Sequence, residues 1–109
     1  MTVREWVEQR TPRPPAALLR RMIEFLGTDV SGDASKTADI CLGAAERALR
    51  GLVAEARFGR DSALDLLAID ALTTYAFEHA SLSGISEPEL LRFTERGARL
   101  LGQLAVSNG

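Results

Sequence analysis

The chain has 109 residues, of which 46% are hydrophobic and 26% charged, and its formal net charge is −2. This balance is typical of a globular protein rather than a disordered one, and the length predicts one domain over residues 1–109. Because a protein that neutralises phosphates needs a concentrated excess of Lys and Arg, the charge argues against nucleic acid as a partner.

Two stretches argue against a membrane partner and against export. The longest weakly charged apolar run, residues 66–77, contains Asp70 and is much shorter than the ~20 residues that a bilayer span needs. The N-terminus carries Arg4, Glu5 and Glu8 where a secretion signal would need an uninterrupted apolar core. We therefore expect a cytoplasmic location.

Two helices are predicted on either side of a proline-rich linker. Thr2 and Glu5 have the spacing of a capping box, which predicts a short helix of about two turns. Residues 11–15 contain three prolines and form a stiff turn, since each proline fixes its own φ. The second helix begins at Pro14 or Pro15 and ends at Leu26, before Gly27.

A polar loop and a long amphipathic helix follow. Residues 28–35 are rich in Gly, Ser and Asp and predict a loop. Asp29 and Asp33 lack the spacing and the distal Glu of a calcium loop, which favours a solvated turn. The third helix is capped by Asp33 or Ser35 and continues to about Arg57.

The last two helices carry more apolar surface than the others. The fourth helix, capped by Asp61 and ending near Ala80, is apolar nearly all round, and such a helix must be covered nearly all round. The fifth begins at a capping box over residues 86–89 and extends to about Val106. Its apolar residues span about 180° of the helix, which is wider than a simple bundle helix needs.

These elements predict an all-α fold: a four-helix bundle-like domain with a short extra N-terminal helix. Because a domain this small can surround one helix only partly, the surplus apolar surface predicts a homodimer or a larger assembly. The first functional hypothesis is therefore a non-enzymatic module for oligomerisation, which could also bind another protein. The predicted interface residues are Leu66, Ile69, Phe77, Leu91 and Leu101.

Polar residues in the fourth helix support a second hypothesis, a bundle that binds a small molecule or a lipid tail and has at most weak enzymatic capacity. Asp70 lies among apolar residues, and an acid is costly to bury unpaired. It is either a general base or ligand contact with a pKa raised by burial or, as we favour, a carboxylate that is paired with an arginine or lies at a hydrated dimer interface. With Tyr75 and Glu78 it could line a pocket between helices. The candidate arginine partners are Arg47, Arg50 and Arg57.

The residue types that bind metals are few, and neither a metal nor a cofactor is predicted. Glu78 and His79 are adjacent, so they point about 100° apart on a helix and cannot both ligate from one face. The Glu-x-x-His pairs of a di-iron bundle are absent. Cys41 lies at a helical position among apolar residues and is predicted to be a small buried hydrophobe rather than a reactive thiol.

Basic residues also recur along one side of the fifth helix. Arg92, Arg96 and Arg99 are spaced by four and three residues, and Glu89 and Glu95 lie close enough to form helical ion pairs with them. This mixture is typical of a solvated helix face rather than of a surface that follows a phosphate backbone.

One short segment has a resemblance to a known family. Residues 66–72 (LLAIDAL), followed by residues 76–78 (AFE), resemble a helix of polyprenyl synthases. The chain lacks the paired aspartate-rich magnesium motifs of that family, so the resemblance implies neither its activity nor its site residues.

Overall fold

A computed structural model describes residues 1–55 and 62–108, with side chains described as far as residue 103. The described helices are α1 (Val3–Glu8), α2 (Ala16–Leu26), α3 (Thr37–Glu55), α4 (Ala63–Leu82) and α5 (Glu87–Asn108). Apart from an isolated bridge between Thr2 and Asp33, the described residues contain no β-structure, and the all-α prediction is confirmed. No described helix is both long and apolar enough to cross a membrane.

The capping box predicted at the start of α1 is present. The amide of Glu5 donates to Thr2 Oγ1 at 3.2 Å, and the amide of Thr2 donates to Glu5 Oε1 at 2.9 Å. These hydrogen bonds from Thr2 lower the pKa of the Glu5 carboxyl. The apolar stripe of Val3, Trp6 and Val7 is buried, so this short helix is stabilised by packing rather than by its own length.

Helix α2 ends where the sequence predicts, because Gly27 adopts a positive φ of 59° that residues with a Cβ rarely adopt. The predicted loop after it consists of two 3-10 helices, Gly27–Ser31 and Ala34–Lys36. Asp33 caps the second of these by accepting a hydrogen bond from the amide of Ser35 at 2.8 Å. The amide of Ala34 donates to the Met1 carbonyl, which joins this connection to the chain start.

Helices α3 and α4 pack along each other and form the centre of the molecule. The buried face of α3 is rich in small residues, and α4 contributes Ala68, Ala76 and Ala80 to the same core. Helices α2 and α5 also pack on α4, so the inner helix is covered from several directions. The predicted end of α3 near Arg57 and the cap Asp61 lie outside the described residues.

The structure corrects the interpretation of α4 as apolar all round. Its outer side is exposed along a line of residues spaced by three and four, and polar side chains occupy most of the line. The helix also continues to Leu82, two residues beyond the predicted end near Ala80. The exposed line consists of Ala63, Leu67, Asp70, Thr74, Glu78 and Ser81.

Helix α5 is attached to α4 through a close aromatic contact. The rings of Phe77 and Phe93 meet edge to face with centroids 5.0 Å apart. Gly97 lies directly against the Phe77 ring, where an added Cβ would come within 2.2 Å of a ring carbon. At the start of α5, Ser86 Oγ accepts from the amide of Glu89 at 3.4 Å, which is one half of the predicted capping box.

We expect Gly97→Ala to destabilise the fold by about 1–3 kcal/mol, because the new methyl group must displace the Phe77 ring from its contact with Phe93. The matched control is Gly102→Ala in the same helix, where nothing lies within 4 Å of an added Cβ. There the higher helix propensity of alanine should stabilise by up to about 1 kcal/mol. Urea unfolding measures both, and equal effects of the two substitutions would contradict the packing described here.

Cys41 provides a second check, since its side chain is buried and burial raises the pKa of its thiol to about 12. At pH 8 only about one thiol in ten thousand is then ionised, and the thiolate is the reactive form. We expect the folded protein to resist Ellman's reagent at pH 8, whereas the protein unfolded in guanidinium reacts at once. Equal reaction rates in the two states would place Cys41 at the surface.

Candidate functional site

The three residues predicted to line a pocket all lie on α4. Asp70 and Glu78 are exposed and Tyr75 is half-buried. Two cavities, of about 350 and 300 Å³, are lined by described residues other than these three. A ligand site at Asp70, Tyr75 and Glu78 stays a prediction.

The expectation that Asp70 is buried and paired with an arginine is wrong for the described arginines. Its side chain lies on the outer side of α4 and makes no ion pair with any described residue. Arg47, one of the predicted partners, pairs instead with Asp29 at 3.5 Å. An aspartate that stays in water needs no partner, so the cost that motivated the prediction does not arise.

Tyr75 and Glu78 contribute instead to a cluster that fixes α1 on α4. The Arg10 guanidinium lies 3.7 Å from the centre of the Trp6 ring and donates to Glu78 Oε1 at 3.3 Å. Trp6 meets the rings of Tyr75 and His79 edge to face. Burial, followed by the charge of Glu78, raises the pKa of the Tyr75 hydroxyl. This cluster has a structural role, because its cation, carboxylate and rings already bind one another.

A second ion pair connects α2 to the start of α4. Arg21 donates to both carboxylate oxygens of Asp65, with Nε to Oδ1 at 2.5 Å and Nη2 to Oδ2 at 3.1 Å. Its third nitrogen donates to Glu24 at 2.8 Å. The hydrogen bond with Asp65 is the main reason that the pKa of the Arg21 guanidinium is raised. The sequence gives no local signal for this pair, because Arg21 and Asp65 lie in different helices.

The larger cavity, which we call the groove, lies where three elements meet. Its walls come from Ser35, Ala38 and Asp39 around the start of α3, from His79, Ser83 and Ile85 around the end of α4, and from Glu89, Arg92, Phe93 and Arg96 in the first turns of α5. The groove has a volume of about 350 Å³. Arg92 and Arg96, predicted to lie on a solvated face, both line it, because α5 places this face against the start of α3.

The interface residues predicted from sequence fall into three environments. Ile69 is 0% exposed, so its assignment to an interface is wrong: the protomer's own core encloses it. Leu66 and Phe77 are half-buried against that core. Leu91 and Leu101 are 61% and 47% exposed. Of the five predicted residues, only the two leucines of α5 offer substantial apolar surface to a partner.

These two leucines belong to a continuous exposed face that we call the α5 strip. The residues of α5 that face the core, Phe93 and Leu100, lie on the neighbouring side of the helix. Every side chain of the strip is exposed, and the face differs from the side that lines the groove. The strip consists of Leu90, Leu91, Thr94, Ala98 and Leu101.

Among the described residues no group of three or more His, Cys, Asp or Glu side chains is placed to hold a metal ion. No family model, curated protein or solved structure matches the chain. The candidate sites are therefore the groove and the α5 strip.

We expect Asp65→Asn to lower the free energy of unfolding by about 1.5–3 kcal/mol, the usual contribution of hydrogen bonds to charged groups. Asp70→Asn is the matched control, since this exposed aspartate of the same helix makes no ion pair with a described residue. It should change stability by less than about 0.5 kcal/mol. Thermal unfolding of the two variants compares them, and a larger effect of Asp70→Asn would restore a structural role for that residue.

Proposed function

We propose that this protein is a non-enzymatic self-association module, in which a second copy of the chain binds the α5 strip. The observation that carries the proposal is the exposure of Leu91 and Leu101 on one helix face, 61% and 47% respectively. Contiguous apolar surface of this kind usually marks an interface. Other described leucines are exposed as well, and of these Leu67 shares its face with Asp70 and Thr74.

The spacing of the strip fits a second copy in particular. Leu91, Thr94, Ala98 and Leu101 are separated by three, four and three residues, which is the a/d spacing of a coiled-coil seam. This spacing is the same in both directions along the helix. Two antiparallel strips therefore place each Leu91 opposite the partner's Leu101, with the small Thr94 and Ala98 at the centre. A two-fold interface requires this kind of self-complementary surface.

The free energies of leucine burial and of association predict a modest affinity between the two copies. A leucine side chain contributes about 1.5–3 kcal/mol when it is buried completely, and those of the strip are already partly covered. Association also costs at least about 4 kcal/mol in lost freedom of motion. We therefore expect a reversible dimer that dissociates at micromolar concentrations, not an obligate one. The net charge of −2 opposes such pairing only weakly.

The test is sedimentation velocity over a range of about 1–500 µM, which covers the affinities expected of a weak dimer. We expect a shift from monomer to dimer for the unmodified chain and a monomer throughout for Leu91→Glu. The matched control is Leu67→Glu, because Leu67 has a similar exposure of 56% but lies on α4. A monomer at every concentration, or equal effects of the two substitutions, would overturn the proposal.

Cysteine cross-linking tests the orientation, since the native Cys41 is buried and does not interfere. Leu91→Cys and Leu101→Cys are prepared separately, mixed and oxidised. An antiparallel pair gives a disulfide between the two different variants, whereas a parallel pair joins each variant to itself. Mass spectrometry distinguishes the products, and exclusive joining of like variants would exclude the antiparallel arrangement.

A further inference from the structure

The groove combines charged, hydroxyl and apolar side chains in a small volume. None of its lining residues belongs to the α5 strip. At about 350 Å³ it falls at the low end of the roughly 300–1,000 Å³ of known ligand sites. A ligand that fills it is therefore small. The mixture of side chains then decides which chemistry the ligand must have.

One of the two arginines in the groove is already neutralised. Arg96 donates to Glu46 at 2.7 Å and to Asp39 at 3.4 Å. The hydrogen bond to Glu46 is the main reason that the pKa of the Arg96 guanidinium is raised. This ion pair joins α5 to α3 and fixes the groove wall, so Arg96 has little capacity left for a ligand.

Two other charged residues of the groove are not paired. Glu89 and Arg92 both line it, they lie one turn apart on α5, and neither forms an ion pair with a described residue. The groove thus presents one available negative charge and one available positive charge a short distance apart. Ala38, Ile85 and Phe93 supply apolar surface beside them.

This distribution disfavours a ligand of a single charge. An anion that binds Arg92 also lies close to the carboxylate of Glu89, and a cation that binds Glu89 also lies close to the guanidinium of Arg92. A dipolar ligand satisfies both signs at once. We propose that the groove binds a small zwitterion with an apolar side group, that is, a free aliphatic or aromatic amino acid. Arg92 binds its carboxylate, Glu89 binds its ammonium group, and the side group lies against Phe93.

The proposal does not depend on self-association, since the groove-lining residues of α5 lie outside the α5 strip. A monomeric variant such as Leu91→Glu should bind the amino acid as the unmodified chain does. A negative result for one proposal therefore does not contradict the other.

The experiment titrates leucine into the full chain and follows the amide chemical shifts of residues 35–39, 79–85 and 89–96 by NMR. Two analogues serve as probes of the charges: leucinamide lacks the carboxylate, and 4-methylpentanoate lacks the amine. We expect leucine to shift these amides in a saturable way and each analogue to bind at least about tenfold more weakly, the effect of losing one charge-assisted contact. No saturable shift, or equal affinity for an analogue, would overturn the proposal.

Matched variants assign the charges to residues. Arg92→Gln should weaken leucine binding at least about tenfold and abolish the preference for leucine over leucinamide. Glu89→Gln should remove the preference over 4-methylpentanoate, and glutamine at this position still suits the start of the helix. The control is Arg99→Gln on the same helix, outside the groove. Unchanged binding in Arg92→Gln and Glu89→Gln, with folding verified by circular dichroism, would place the ligand elsewhere.

Discussion

The close packing of α3 against α4 is the constraint on which the rest of this structure depends. Ala44 and Ala45 on α3 and Ala68 and Ala76 on α4 are completely buried, and such small side chains allow two helix axes to approach closely. The other helices pack around this pair of helices. Because α4 is covered on several sides by its own protomer, the broad exposed apolar face among the described residues is that of α5.

Ion pairs join the outer elements to α3 and α4. In one of them Arg47 of α3 binds Asp29 of the first 3-10 helix. In others the outer element supplies the arginine: Arg21 of α2 binds Asp65, and Arg96 of α5 binds Glu46. Arg10, which follows α1, likewise binds an acid of α4. Exposed ion pairs contribute little stability each, typically below about 1 kcal/mol, so the main effect of the exposed pairs is to fix which helix lies where. The pair between Arg21 and the buried Asp65 also contributes to stability. The groove owes its shape to one of these contacts.

The sequence predicted the local features of the fold well, because capping and helix termination are decided within a few residues. Thr2 with Glu5 and the positive φ of Gly27 are examples. It failed where the answer depends on which side of a helix faces a neighbour. A helix with apolar residues on several sides gives no such signal, so Ile69 was assigned outward and Asp70 inward, the reverse of their positions.

The candidate site was beyond prediction for the same reason. The groove needs the start of α3, the end of α4 and the first turns of α5 to meet, and its residues come from three distant segments. The partner of Arg21 lies 44 residues away, a separation at which no local pattern operates. The wide apolar arc of α5 predicts exposed leucines on this helix. Their exposure also depends on the covering of α4 by other helices, which the sequence does not show.

Amide hydrogen exchange tests the central claim most directly, since it reports how firmly each helix is held. We expect the slowest exchange in α3 and α4 and faster exchange in the exposed half of α5, with protection of α5 rising as protein concentration rises. Slow exchange in α5 at the lowest concentration, equal to that of α4, would contradict it.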